Sequence, residues 1–313
     1  MQMTAFVRGG PAYIGNPAAA HGKAASVVAD IALAAGAAGH AGPVLVTTRP
    51  GEATDLARRA ADAGASIVVA VGGDGTAGEV AEGLAGTPTA LGIIPAGGGN
   101  DLARVFGIPR LRPGPAALAT AIRHVIEAPR GQLDLIELGG RGCLQAGGAG
   151  LDAHVTGMRA RSRIRPASLA YGASAVLGLL TWRRQRMRVI LDGRVAYDAP
   201  AFAVTIANVS TYGGGLRIVP GADPTDGLLD VAIIGDIGSL EAVRLFPSVY
   251  RGAHVGHPHF HLLRGSTVRI ESPDGQVPVH VDGSLVGSTP VEGRVRPGCV
   301  SVSVPRAEWD QLP

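Results

Sequence analysis

The sequence of 313 residues predicts two domains. A doubly wound parallel α/β domain spans residues 1–129, and an antiparallel β-sandwich spans residues 130–302. Three observations carry this expectation. Short apolar runs alternate with helical periodicity as far as Glu127. Glycine clusters fall at three strand-to-helix turns, which in such a sheet lie beyond the strand carboxyl ends, where ligands bind. From Pro129 onward the pattern changes to short strands punctuated by turns such as Asp192-Gly193 and Asp274-Gly275.

Residues 1–10 carry no strong pattern. Ala12-Tyr13-Ile14 reads as the first strand, running into Gly15-Asn16-Pro17 and a helix that ends near Ala35. Lys23 is either a phosphate ligand or helix surface. Pro43 to Thr47 is the second strand, and Thr54 caps a helix that stops at Gly64. Ile67 to Val71 is apolar and rich in β-branched residues, as a buried parallel strand should be. It ends in Gly72-Gly73-Asp74-Gly75. Thr76 then opens a helix with Glu79 three residues on, a capping box. Ala77, Val80, Ala81 and Leu84 share one face of that helix, and Gly86 ends it. Leu91 to Ile94 is a further strand, followed by Pro95-Ala96-Gly97-Gly98-Gly99-Asn100-Asp101 and a helix from Leu102 to Phe106. A helix from Pro115 to Glu127 brings the chain to the boundary near Ala128-Pro129-Arg130.

In the second domain, strands are expected over Gln132–Leu138, Met187–Leu191, Arg194–Ala199, Ala201–Ala207, Leu228–Ile234, Thr267–Glu271, Val277–Val281 and Val300–Val304. Helices are expected near Leu169–Trp182 and Ser239–Arg251. Ala146-Gly147-Gly148-Ala149-Gly150 reads as a glycine-rich bend. Sheet edges in this domain allow pairing into a homodimer.

Composition narrows the function classes. Hydrophobic residues make up 46% and charged residues 17%, and mean hydropathy is +0.23. No uncharged apolar run reaches the roughly 18 residues of a membrane span, and no basic segment leads into an apolar core at the N-terminus. The expected location is cytoplasmic. Cys143 and Cys299 lack metal spacing and read as free thiols. Net charge is +3, and Lys23 is the only lysine among 28 basic residues. Arg159, Arg161, Arg163 and Arg165 form one cluster, and Arg183, Arg184, Arg186 and Arg188 follow Trp182 in another. Each is a solvated face or a contact for an anionic membrane surface. Aromatics at 4% give no stacking platform, which argues against nucleic acid. His257, His259 and His261 alternate, as a polar strand face does; a metal triad is the rarer alternative.

Backbone N–H groups of glycine loops close on phosphate oxygens, and the following helix N-terminus favours negative charge. Two successive turns of this kind, each beside a carboxylate, suit a polyphosphate. A single Gly-Gly turn is equally a tight bend. No Gly-Lys-Ser/Thr follows, so the Walker loop does not fit. Asp74 stands where a dinucleotide loop must pass close to pyrophosphate. Asp74 is therefore a metal-linked or proton-accepting carboxylate, or simply a helix cap.

Gly72-Gly73-Asp74-Gly75-Thr76 with Glu79-Val80 resembles the nucleotide signature of the diacylglycerol kinase catalytic family, which includes sphingosine kinases and bacterial lipid kinases. Pro95 to Arg104 resembles its second motif, with Gly98 where threonine is usual. Asn16-Pro17 resembles its first motif more loosely. NAD kinases share the Gly-Gly-Asp-Gly-Thr core. They lack the series Asn208, Tyr212-Gly213-Gly214-Gly215, Pro220-Gly221-Ala222 and Asp226-Gly227-Leu228-Leu229-Asp230-Val231, which follows the lipid kinase pattern in order. Ala146 to Ala153 resembles the family's Gly-x-Gly-Phe-Asp segment. The resemblance implies ATP and Mg²⁺ as cofactors, with ATP held by Asn16, Pro17, Gly72, Gly73, Asp74, Gly75, Thr76, Glu79, Gly97, Gly98, Gly99 and Asn100. It implies a structural Mg²⁺ on Asp226 with the carbonyls of Asp223 and Leu228; a plain Asp-Gly turn is the alternative. The acceptor would be a lipid hydroxyl of diacylglycerol type, met at the membrane by a peripheral protein, and the end of the chain, about 303–313, would return to pack on the first domain.

One departure matters. Similar lipid kinases carry Asp-Gly-Glu near the end, whose glutamate takes the acceptor's proton; this chain reads Asp282-Gly283-Ser284. Serine has no accessible basic state at neutral pH. Asp282, Asp74, Asp101 or Glu292 then serves as helper, and catalytic roles fall on Asp74, Asp101, Asp282 and Ser284. The rival from another class is a non-catalytic or weakened nucleotide- or lipid-binding homologue. NAD kinase and sugar kinase are further alternatives.

Overall fold

The computed structural model describes residues 8–161 and 167–304. Arg163, Arg165 and the end of the chain from 305 lie outside these residues. The described chain forms two compact units, one of residues 8–133 with 298–304 and one of residues 134–297.

The first unit holds β1 (Pro11–Gly15), α1 (Ala25–Ala37), β2 (Val44–Val46), α2 (Glu52–Asp62), β3 (Ile67–Gly72), α3 (Asp74–Leu84), β4 (Ala90–Pro95), α4 (Asp101–Val105) and α5 (Pro115–Glu127). Its strands are parallel in the order β2-β1-β3-β4. Residues of β3 and β4 are buried throughout, as a sheet covered on both faces requires. Pairing of Gly15 with Val71, and of Gly72 with Pro95, makes the carboxyl ends of β1, β3 and β4 finish side by side. One core cluster is built from Tyr13, Ile31, Val69, Ile94 and Ile122, drawn from both helices and strands. Gly92 lets α5 press close, since a Cβ there would lie 2.5 Å from a Val125 methyl.

The second unit holds β5 (Arg130–Leu138), β6 (Arg141–Cys143), β7 (Ala146–Gly150), α6 (Leu151–Arg161), α7 (Ala167–Thr181), β8 (Gln185–Leu191), β9 (Arg194–Ala201), β10 (Ala203–Ala207), β11 (Leu229–Ile234), α8 (Ser239–Val249), β12 (Phe260–Gly265), β13 (Thr267–Glu271), β14 (Pro278–Val281), β15 (Ser284–Ser288) and β16 (Val291–Ser303). β5 and β16 each carry the chain across a unit boundary. One sheet runs β9-β8-β13 to the first half of β16, and a second runs β12-β11-β10-β7-β14-β15. Alternate residues of the second sheet, including Val204, Ile206, Val231 and Val279, enter the core shared with the first. The outer face of the second sheet is covered by α6, α7 and α8 over Leu151, Val155, Phe202 and Ile237.

Several local expectations change. Asp192-Gly193 makes the β8–β9 hairpin, with both residues at positive φ. Asp274-Gly275 instead connects β13 to β14 in the opposite sheet, while Asp282-Gly283 makes a hairpin turn between β14 and β15. The glycine-rich segment Ala146–Gly150 is no bend. It is a central strand, where a Cβ at Gly148 would lie 2.1 Å from the Val204 carbonyl oxygen. Among the described residues no helix is long and apolar enough to cross a membrane. In the second arginine cluster, Arg184 pairs with Asp236, and both Arg186 and Arg188 pair with Asp198. Two aspartates thus offset half of the charge of its four arginines.

Candidate active site

Adjacent strand ends gather the motifs of the first unit. The Asn16 N–H donates to Val71 O at 3.1 Å, and its side-chain N–H donates to Thr76 Oγ1 at 3.1 Å. Its Oδ1 takes the Ala18 N–H at 3.0 Å, an Asx turn that shapes the loop holding Pro17. α3 begins at Asp74, with Gly73 extended before it, so Gly75 and Thr76 form its first turn. The second glycine loop packs directly on the first. A Cβ at Gly97 would lie 2.3 Å from Gly73 Cα, so only glycine allows the two loops to touch. Asn100, at φ +53°, ties the loop to itself: Gly97 N–H donates to its Oδ1 at 2.9 Å, and its Nδ2 donates back to Gly97 O at 2.9 Å.

The two carboxylates meet over this loop. Asp74 Oδ1 accepts the Leu102 N–H at 2.9 Å, which pins α3 to the start of α4. A Cβ placed on Gly99 would lie 3.1 Å from Asp74 Oδ2 and 3.6 Å from Asp101 Oδ2, so both side chains crowd the same point beside Gly98-Gly99. Asp101 is buried and paired with Arg104, a cation that the motif reading did not single out. Two carboxylates beside glycine N–H groups fit Mg²⁺ held jointly with phosphate oxygens.

Glu79 has a different job from the expected one. Its Oε1 takes the Gly51 N–H at 2.9 Å and its Oε2 the Ala53 N–H at 3.1 Å, which caps α2. Nor does Thr54 cap α2, which begins at Glu52; the Thr54 hydroxyl donates to Glu82. Lys23 is exposed.

In the second unit, Asp282 is enclosed by main chain. Its Oδ2 accepts the Leu144 N–H at 2.8 Å, and its Oδ1 accepts those of Gln145 at 2.9 Å and Ala146 at 3.2 Å. Cys143 Sγ adds a contact at 3.3 Å. Burial pushes the Asp282 carboxyl above its ordinary range, against the pull of those N–H donors. Ser284 is exposed at the start of β15.

The residues expected to hold a structural Mg²⁺ lie in the turn before β11. Asp226 Oδ1 takes the Leu228 N–H at 3.0 Å, while its Oδ2 pairs with Arg264, whose Nε also reaches Asp230 at 3.0 Å. Asp223 Oδ1 accepts the Thr225 N–H at 2.9 Å and the Thr225 hydroxyl at 2.6 Å, which leaves the side chain out of the expected carbonyl ligation. Burial pushes Asp230 up to about 6, opposed by the charge of Arg264. Two of the histidines have protein partners of their own. His257 lies 3.3 Å from Glu241, and His254 bonds Ile218 O at 2.9 Å.

Two residues from separate motifs, Asp152 and Tyr212, meet in a polar cluster on the outer face of the second sheet. Asp152 Oδ2 accepts hydrogen bonds from Thr205 Oγ1 at 2.6 Å and from the Tyr212 hydroxyl at 2.7 Å. Buried His280 lies nearby, and neither ring nitrogen has a partner among the described residues. Only the structure reveals this cluster, because its members come from a helix, two strands and a loop.

Comparison with known proteins now discriminates among the readings. Residues 12–137 match the diacylglycerol kinase catalytic domain, and residues 146–304 match the YegS C-terminal NAD kinase beta sandwich-like domain. A diacylglycerol kinase of Mycobacterium tuberculosis is 33% identical over 299 residues, covering 93% of this chain and 94% of that protein. The chain belongs to the diacylglycerol kinase family. With that membership it is a kinase with an alcohol acceptor. The diacylglycerol kinase of Bacillus subtilis is 28% identical, covering 88% of this chain and 89% of its own. A crystal structure of a putative diacylglycerol kinase from Bacillus anthracis strain Sterne aligns with TM-score 0.74 at 22% identity, over 96% of this chain and 98% of that one. An NAD kinase from Archaeoglobus fulgidus, in complex with ATP, shares the fold at TM-score 0.56 and 12% identity, over 96% of each chain. In this kinase the second half of the chain therefore decides between the two groups that share the Gly-Gly-Asp-Gly-Thr motif.

Proposed function

We propose that the chain transfers the γ-phosphate of ATP to the free hydroxyl of a diacylglycerol-like lipid, with Mg²⁺. The observation that carries this reading is the contact between the two glycine loops at Gly73 and Gly97, with Asp74 and Asp101 converging beside it. N–H groups of Gly73 to Thr76 and of Gly97 to Asn100 would bind phosphate oxygens, with the α3 N-terminus adding its positive end. Asp74, with Asp101 behind it, would hold Mg²⁺ against the phosphates, and the ion would offset charge on the transferred group. The Arg104 pair fixes the Asp101 carboxylate in place. Such transfer depends chiefly on positioning and charge neutralisation, so an exposed serine at 284 is compatible with turnover. Asp282 is poorly suited to take a proton, because both of its oxygens are already engaged by N–H groups.

Ser284 itself favours a second reading, a slow or silent homologue that binds without transferring. Both readings meet in one experiment: radiolabelled ATP, Mg²⁺ and a mixed lipid extract, with wild type beside Asp74→Asn and Ser284→Glu. Expected is a labelled lipid running with phosphatidic acid, reduced by about a hundredfold or more in Asp74→Asn. Label appearing only with Ser284→Glu would make the natural chain a weakened kinase. No label in any of the three, while ATP still binds, would establish the binding protein.

A further inference from the structure

A groove of about 820 Å³ lies in the first unit, between α5 and the segment that joins α4 to it. Ligand pockets commonly fall in this size range. Its floor is apolar. Ile93 comes from β4, Ala117, Ala121 and Val125 come from α5, and Ile108 and Leu111 come from the joining segment. The wall made by α5, from Ala116 to Ala128, is roughly 18 Å long at the helical rise.

The polar groups around this floor are of two kinds. The hydroxyls are already engaged: Thr120 Oγ1 donates to Ala116 O at 3.0 Å, and Ser303 Oγ donates to Val125 O at 2.5 Å. The Glu127 carboxylate faces His40 at 3.5 Å. The cations are not engaged. Arg110, Arg112 and His124 line the groove, are exposed, and have no side-chain partner among the described residues. Pro109 and Pro113 bracket the two arginines and fix φ on either side of them. Leu111, between the arginines, packs against the core cluster that contains Ile122. The guanidinium groups are thus carried on an anchored segment, which limits the entropy lost when they take a ligand. Each can meet a carboxylate or a phosphate with two parallel N–H donors.

An apolar trough beside unpaired cations is complementary to one aliphatic chain that ends in an anion. We propose that this groove binds a single-chain amphiphile with an anionic head, a fatty carboxylate or a monoalkyl phosphate. The chain lies along Ile93, Ala121 and Val125, and Arg110 and Arg112 take the head. None of the glycine-loop residues 72–76 and 97–100 lines the groove. The inference therefore goes beyond the kinase reading and does not depend on it.

Isothermal titration of the full chain tests this, with decanoate and decyl phosphate below their micelle thresholds. Decanol and decyltrimethylammonium serve as the uncharged and cationic controls. Expected is saturable binding of an anion, with decanol at least about tenfold weaker and the cation silent. The tighter of the two anions identifies the head group. Arg110→Glu and Arg112→Glu should each lower anion affinity by about tenfold or more. Arg123→Glu, the same charge change on α5 outside the groove, should leave affinity as in wild type. Ala117→Phe and Ala121→Phe, which fill the floor, should each abolish binding while far-ultraviolet circular dichroism stays unchanged. If one filling variant fails to fold, the other and the arginine variants still decide. Decanol bound as tightly as the anions, an equal loss in Arg123→Glu, or binding kept in a folded filling variant would each overturn the site. So would an absence of binding to the full chain; if a chain ending at Val304 then bound, residues 305–313 would be the occupant instead.

Discussion

Gly97 and His280 show how much a single position can carry. At Gly97 the constraint is contact: an added Cβ would lie 2.3 Å from Gly73 Cα and 2.8 Å from Asn100 Oδ1. Gly97→Ala must therefore separate the two loops whose N–H groups are proposed to bind phosphate. ATP affinity should fall by more than about tenfold, since misplacing several charge-assisted hydrogen bonds costs more than losing one; isothermal titration reads this directly. At His280 the constraint is burial. Desolvation lowers its pKa below the ordinary value of 6.5, with the Asp152 charge opposing. The unfolded chain then binds the proton more tightly than the folded one, so stability from this residue is full above about pH 6.5 and is lost as pH falls below it. His280→Leu removes a titrating group whose nitrogens have no partner among the described residues. Urea unfolding at pH 7 and pH 5 should show a smaller loss on acidification in His280→Leu than in wild type. An unchanged difference would mean that the ring has a proton partner in the folded state.

Elements were legible where the pattern is local. The strands β3 and β4, the helix α5 and the glycine turns could be taken from apolar runs and flanking glycines, and the structure places them within a few residues of the expectation. The failures share a cause: partners distant in sequence. Glu79 three residues after Thr76 satisfies the spacing of a capping box, yet its carboxylate crosses to α2 because Gly51 and Ala53 present unsatisfied N–H groups there. The pairing of Asp226 with Arg264, 38 residues on in β12, has no local signal either. The strand β7 was hidden because Ala146–Gly150 has no β-branched residue; its glycines answer to close main-chain neighbours, which no local pattern records. A prediction at this scale follows from Glu79. Glu79→Ala should destabilise the first unit by about 1–2 kcal/mol through loss of the α2 cap, while Glu79→Gln, which keeps one acceptor oxygen, should cost less. If Glu79→Ala instead leaves unfolding unchanged and lowers only ATP affinity, the residue belongs to the nucleotide site.

At the scale of the molecule, the order of the chain and the order of the units disagree. The first unit is completed by residues that come last, from Gly298 onward. Val302 pairs in parallel with Leu91 of β4, the Cys299 carbonyl takes the Gly86 N–H at 2.7 Å, and Ser303 Oγ donates to Val125 O at 2.5 Å. Val300, Val302 and Val304 are fully buried. The nucleotide-binding unit therefore gains its last strand only after the whole second unit has been made. Val302→Ala, far in sequence from every glycine motif, should weaken that unit by about 2 kcal/mol, the usual cost of a cavity from two lost methyl groups. Val279→Ala, equally buried in the core of the second unit, serves as the matched control. Urea unfolding with and without ATP separates them, because a ligand shifts only the transition of the part that binds it. The ATP-sensitive transition should move to lower urea in Val302→Ala and stay in place in Val279→Ala. If both variants move that transition equally, the two units unfold as one. If neither does, the last strand is dispensable to the nucleotide site, and the first unit is complete without it.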